Sequence, residues 1–148
     1  MKRKILSKLI EWKNKKNRKP LIVNGARQVG KTYILKEFGS HYYEKMAYVN
    51  CDKNKTLDKI FSQDYNISRI LLSLSAILHV NIEPENTLII FDEIQENPTV
   101  LNSLKYFCED ASQYHVAVAG SLLGISLHRD TSFPVGKVDM IKMYPMTF

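Results

Sequence analysis

Residues 24–32 read Asn-Gly-Ala-Arg-Gln-Val-Gly-Lys-Thr, and the reading of this short stretch decides the fold. From Gly25 to Thr32 it matches the pattern GxxxxGK[ST] in full. A loop of this kind must wrap a polyphosphate closely enough for its backbone N–H groups to point at phosphate oxygens. Side chains would obstruct that approach, so glycines recur. An apolar run, Leu21 to Val23, precedes the loop and predicts a first strand. A helical pattern follows from Lys31 to Phe38, with Gly39 expected as its C-terminal stop. Strand, loop and helix in this order are the setting the pattern needs. The helix N-terminus adds partial positive charge beside the loop, Lys31 brings a full charge to the β- and γ-phosphates, and Thr32 offers a hydroxyl to Mg²⁺. The loop residues Ala26, Arg27, Gln28 and Val29, with Gly25, Gly30, Lys31, Thr32 and the following Tyr33, form the expected nucleotide-binding set.

Working outward, short apolar runs alternate with longer helical periods, which predicts an α/β fold with a mainly parallel sheet. Met46 to Asn50 reads as a second strand. Ile67, Ile70, Leu71, Leu74, Ile77 and Leu78 recur at helical spacing and fall on one face of a helix that covers the sheet. Leu88 to Phe91 is a continuous apolar run, as expected of a strand buried on both faces. Asn97-Pro98 supplies a cap and a first-turn proline for a helix reaching about Asp110. His115 to Ala119 and Val138 to Met143 complete five strands.

The third strand closes on Asp92-Glu93. Asp92, at the C-terminal end of a buried strand, lies where α/β sheets bind ligands and is expected to hold Mg²⁺ with Thr32. Glu93 is expected to polarise the water that attacks the γ-phosphate, a role that favours hydrolysis over simple phosphate transfer. Solvent-facing or helix-capping acids are the alternative reading of this pair. The stretch between Lys31 and Asp92 has room for a further strand, which suits the class of P-loop fold whose acidic strand is not the sequence neighbour of the loop strand. Ser121, at the end of the fourth strand, is a candidate to sense the γ-phosphate; a plain turn residue is its alternative.

Composition bounds these readings. In the 148 residues, 45% are hydrophobic and 24% charged, which fits one globular domain and argues against a wholly disordered chain. No apolar run approaches the roughly 20 residues a membrane helix needs, so a cytoplasmic location is the default expectation. Cys51 and Cys108 are far apart, have no CxxC spacing, and read as buried thiols. The net charge of +6 is uneven: residues 1–19 carry nine Lys or Arg against Glu11, a net +8, and the remainder is −2. That basic N-terminal helix reads as a solvated face whose apolar stripe, Ile5, Leu6, Leu9, Ile10 and Trp12, packs down, with nucleic-acid contact as the alternative.

Four blocks, 24–32, Ile-Ile-Phe-Asp-Glu-Ile-Gln-Glu at 89–96, Ala-Gly-Ser-Leu-Leu-Gly at 119–124 and Ser-Phe-Pro-Val-Gly-Lys-Val at 132–138, together resemble prokaryotic AAA+-type ATPases. The resemblance implies a three-layer P-loop core over 20–148 of the additional-strand class, and Mg²⁺-dependent ATP binding and hydrolysis. It carries Gly25, Gly30, Lys31, Thr32, Asp92 and Glu93 in the roles above and puts Ser121 at the sensor position. In that family the core usually continues into a C-terminal domain of unknown function, so the chain is expected to represent the N-terminal core alone, with inefficient turnover or simple nucleotide binding as the alternative activity. Family ATPases often show Gly-Arg where Gly136-Lys137 stands, and such an arginine reaches a neighbour's nucleotide in a homo-oligomer. Lys137 keeps the charge without the planar fork, and Arg129 is a weaker substitute candidate; the favoured reading of both is as plain loop residues. No Asn-Lys-x-Asp guanine-reading segment occurs, since Asn54-Lys55 runs into Thr56-Leu57, so ATP is the expected nucleotide.

Overall fold

A computed structural model describes residues 2–25, 30–121 and 136–143. The elements run α1 Lys2–Lys13, β1 Leu21–Asn24, α2 Lys31–Tyr42, β2 Lys45–Asn50, α3 Lys55–Gln63, α4 Ile67–Leu78, β3 Thr87–Asp92, a 3₁₀ turn Ile94–Glu96, α5 Pro98–Asp110, β4 His115–Gly120 and β5 Asp139–Lys142. All five strands are parallel, in the order β2-β3-β4-β1-β5. β4 therefore lies between the strand that feeds the phosphate loop and the strand that ends in Asp92; the strand expected between Lys31 and Asp92 in sequence is β2, which pairs with β3 at the edge of the sheet.

Alternation along the strands sorts their side chains onto two faces. Ile89, Phe91, Val116 and Val118 face a cluster built with Leu57, Phe61, Ile70, Leu74, Leu104 and Phe107 from α3, α4 and α5. Leu21, Val23, Leu88, Ile90, Ala117 and Ala119 face the other way, onto Leu9 and Trp12 of α1 and Leu35 and Phe38 of α2. The result is three layers, helices on both faces of one sheet. The stripe on α1 divides as its spacing dictates, with Ile5, Leu9 and Trp12 buried and Leu6 and Ile10 packed at the margin.

Local signals fix the helix starts. Asn54, Asn66 and Asn97 each cap a helix by accepting from the N–H three residues on, Leu57, Arg69 and Val100 respectively. Pro98 occupies the first turn of α5 as expected. On α4 the predicted face holds for Ile67, Ile70, Leu71 and Leu74, all buried, whereas Ile77 near its C-terminus is 39% exposed. The helix stops at His79, which takes the left-handed conformation at φ 55°.

Gly39 departs from expectation. It does not stop α2, which continues to Tyr42. A Cβ at Gly39 would lie 2.4 Å from Met46 Sδ and 3.2 Å from Leu88 Cδ2, so the glycine is there to let the helix approach β2 and β3. A glycine needed for close packing and one needed for a cap look alike in sequence. The cysteines are free thiols, Cys51 buried and Cys108 partly exposed, a small correction to the expectation of two buried ones.

Candidate active site

The parallel sheet brings the C-terminal ends of β1, β3 and β4 to one edge. β1 ends at Asn24, and the Gly25 N–H donates to Gly120 O at the end of β4, at 3.2 Å. Gly30 then precedes α2 with φ 86°, a conformation a residue with a Cβ rarely adopts. Lys31 opens the helix and donates from Nζ to Gly25 O at 2.5 Å, so its ammonium folds back over the start of the loop. Ala26, Arg27, Gln28 and Val29 lie outside the described residues, as does Arg129. Tyr33 is on the first turn of α2 and 64% exposed.

Thr32 and Asp92, the pair expected to share a metal, meet across the sheet: Thr32 Oγ1 donates to Asp92 Oδ2 at 2.8 Å. Asp92 is 5% exposed, so its carboxylate depends on protein donors. Tyr48 Oη of β2 donates to the same Oδ2 at 2.5 Å, and the Glu93 N–H donates to Oδ1 at 2.9 Å. Burial, then the hydrogen bond to Asp92, pushes the Tyr48 phenol well above its ordinary pKa, which keeps it a donor. Lys36 Nζ stands 4.0 Å from the centre of its ring. Cys51 lies alongside, its N–H donating to Asp92 O at 2.8 Å; burial and the neighbouring carboxylate push its thiol up to about 12, so it stays protonated. A hydroxyl and a carboxylate within hydrogen-bonding distance form a hard-oxygen donor set of the kind that suits Mg²⁺.

Glu93 itself adopts φ 55°, ψ 48°, a left-handed conformation that costs a non-glycine residue about 1–3 kcal/mol. Glu93 Oε2 accepts from Gln95 Nε2 at 2.6 Å, and Gln95 Oε1 accepts the Ser121 N–H at 3.2 Å. Ser121 is thus tied to the site edge by its backbone. Gly120 has no room for a side chain, since a Cβ there would lie 2.5 Å from Ile94 Cγ2 and 2.6 Å from Gln95 Oε1.

The structure therefore brings Gly25, Lys31, Thr32, Asp92, Glu93 and Ser121 to one edge. It does the same for three residues the sequence reading passed over: Tyr48, Gln95 and Gly120. Tyr48 sits in a strand whose pattern alone gives no reason to single it out. Gln95 carried a faint signal, as a polar residue between a strand-end acid pair and a helix cap. Lys137 lies elsewhere and pairs with Glu109 of α5 at 3.3 Å. Several charges of the basic N-terminus are engaged by the rest of the chain at the surface: Lys15 bonds Asp139, Arg18 donates to Lys13 O and Ser112 O, and Lys13 lies over the Tyr43 ring. A cavity of about 610 Å³ beside α4, lined by Tyr65, Leu71, Leu72, Ile82 and Tyr114 among others, lies away from this edge. No helix among the described residues is long and apolar enough to cross a membrane, and none of their His, Cys, Asp and Glu side chains cluster as a ready-made metal cage.

Comparison with solved structures finds a similar fold in a Walker-type ATPase of Pyrococcus abyssi, at a TM-score of 0.53 and 14% identity, over 98% of this chain and 52% of that one. The chain thus spans about half the length of that ATPase, and at this identity the likeness is one of fold. Comparison with curated proteins gives no match. The profile of the AAA domain family matches residues 17–148, a span that takes in the loop, the acidic strand end and β4. With the strand order and the Thr32–Asp92 contact already in place, the chain belongs to the AAA domain family and is a nucleotide-binding, P-loop ATPase-like core.

Proposed function

We propose that the chain binds ATP with Mg²⁺ and hydrolyses it to ADP and phosphate. The observation that carries this reading is the 2.8 Å contact between Thr32 Oγ1 and Asp92 Oδ2, which joins the phosphate loop to the acidic strand end across the intervening β4. Backbone N–H groups of the loop and of the first turn of α2 bind the phosphates, and Gly25, Gly30 and Tyr33 frame that loop. Lys31 exchanges its hold on Gly25 O for a phosphate oxygen. Thr32 and Asp92 would hold the metal, which when bound would supply positive charge against the phosphates. Tyr48 and the Glu93 N–H keep the Asp92 carboxylate oriented. Glu93 accepts a proton from the attacking water, and Ser121, at the end of β4, faces the terminal phosphate.

Phosphate release by the purified chain, with and without Mg²⁺, tests the proposal. Turnover that requires Mg²⁺ and falls about 10²- to 10⁴-fold in Glu93→Gln supports it. Equal, nonzero rates in the two proteins overturn the role of Glu93. ATP binding without turnover would make the chain a nucleotide-binding module.

A further inference from the structure

The carboxamide of Gln95 stands between two groups that fix which way round it lies. The Ser121 backbone N–H can only donate, so the Gln95 oxygen faces it, at 3.2 Å. The amide nitrogen is then left for Glu93 Oε2, a carboxylate oxygen that can accept, at 2.6 Å. Neither contact survives exchange of the two ends. Gly120, held to the first residue of the phosphate loop through the Gly25 N–H, lies directly under Gln95 Oε1 and leaves it space by lacking a Cβ. One side chain thus connects the end of β4, to which the start of the loop is bonded, with the acid after Asp92.

We propose that Gln95 is a positioning residue for Glu93: its amide fixes one carboxylate oxygen against the end of β4 and leaves the other directed to the water. This rests on the hydrolytic role given to Glu93 above. A neutral donor suits the task, because it orients a carboxylate without the strong pairing by which a lysine or arginine would hold its charge and weaken it as a base. Glu93 needs such a hold more than most residues. Its backbone is in the left-handed region, and its N–H is already committed to Asp92 Oδ1.

The test is a kinetic cycle on the whole chain. Gln95→Ala is expected to lower kcat about 10-fold with KM for ATP held within about twofold, the range typical of lost outer-shell support. Gln95→Glu, of the same size and shape, removes the donor and sets a like charge beside Glu93; it is expected to lower kcat at least as far, and it serves if the alanine variant folds poorly. In a Glu93→Gln background the Gln95→Ala effect is expected to vanish, because residues acting as a unit are non-additive. An unchanged or raised kcat in Gln95→Ala and Gln95→Glu, or a Gln95 effect that persists in the Glu93→Gln background, overturns the proposal. If Glu93→Gln turns over like the unmodified chain, the role of Glu93 has failed; if the unmodified chain has no turnover, the hydrolytic reading has failed and this proposal with it.

Discussion

The two ends of the sheet each place a tyrosine hydroxyl against a buried ionisable side chain, with opposite results. At the C-terminal edge Tyr48 donates to Asp92, which also receives Thr32 and the Glu93 N–H. At the N-terminal edge Tyr43 Oη lies 2.6 Å from His115 Nδ1, and Trp12 packs edge-on against the imidazole. Burial, with Arg18 and Lys13 adding repulsion, lowers the His115 pKa to about 3, so the ring is neutral. Asp92 sits beside the phosphate loop, among donors, two of which are hydroxyls able to release it. His115 is sealed among aromatic rings with nothing to exchange. The same pairing is a proposed site at one end and a plug at the other, and the proposed difference is whether the surrounding groups can be replaced by a ligand.

The contrast can be broken most forcefully at Asp92. Asp92→Ala is expected to lower Mg²⁺-dependent turnover by at least about 10²-fold, since metal-borne charge stabilisation is worth several kcal/mol. A phosphate-release assay checks this, and turnover near that of the unmodified chain would remove Asp92 from the site. Paired tyrosine variants sharpen the comparison next. Tyr43→Phe leaves His115 Nδ1 buried without its partner and is expected to cost about 1–3 kcal/mol of stability while ATP affinity is unchanged. Tyr48→Phe leaves Asp92 two other donors and is expected to cost less stability but to weaken Mg²⁺-dependent nucleotide binding. Urea unfolding and nucleotide titration on both variants separate the two cases.

An expected effect of the same order as that of Tyr43→Phe is on pH dependence. His115 has a folded pKa depressed to about 3 against an ordinary value of 6.5, so the unfolded chain takes up the proton first as pH falls. Its contribution is fully present above pH 6.5 and is lost on descent toward pH 3. Between pH 7 and pH 5 this amounts to up to about 2 kcal/mol. Urea midpoints at the two pH values, compared with those of His115→Phe, read it out; a slope identical in the two proteins would mean that His115 titrates normally in the fold.

Much of this was legible in the chain itself. The Gly25–Thr32 pattern between an apolar run and a helical one placed the loop, and the four apolar residues before Asp92 placed the acidic strand, because continuous burial leaves a continuous apolar trace. Asn97-Pro98 marked the start of α5 because capping is local chemistry. Helix α3 escaped, since its buried face amounts to Leu57, Ile60 and Phe61, too short a stripe to assert a period. Gly39 was misread because the atoms it makes room for, on Met46 and Leu88, belong to other elements. Tyr48 was invisible for the same reason, since it matters through Asp92 on another strand, and Gln95 gave only a faint signal because its partner at Ser121 lies beyond a different strand; a single sequence records no such pairing.

The place of β4 has a consequence for how the molecule assembles. β1 and β3 do not touch as paired strands; the strand that pairs with both, β4, is made later in the chain than either. Helix α2 is local in sequence, but the Thr32–Asp92 contact spans the position that His115–Gly120 fills between its two neighbours. Non-local parallel pairing of this kind is slow to form. The proposed metal pair is therefore expected to be completed late in folding, when β4 joins its two neighbours.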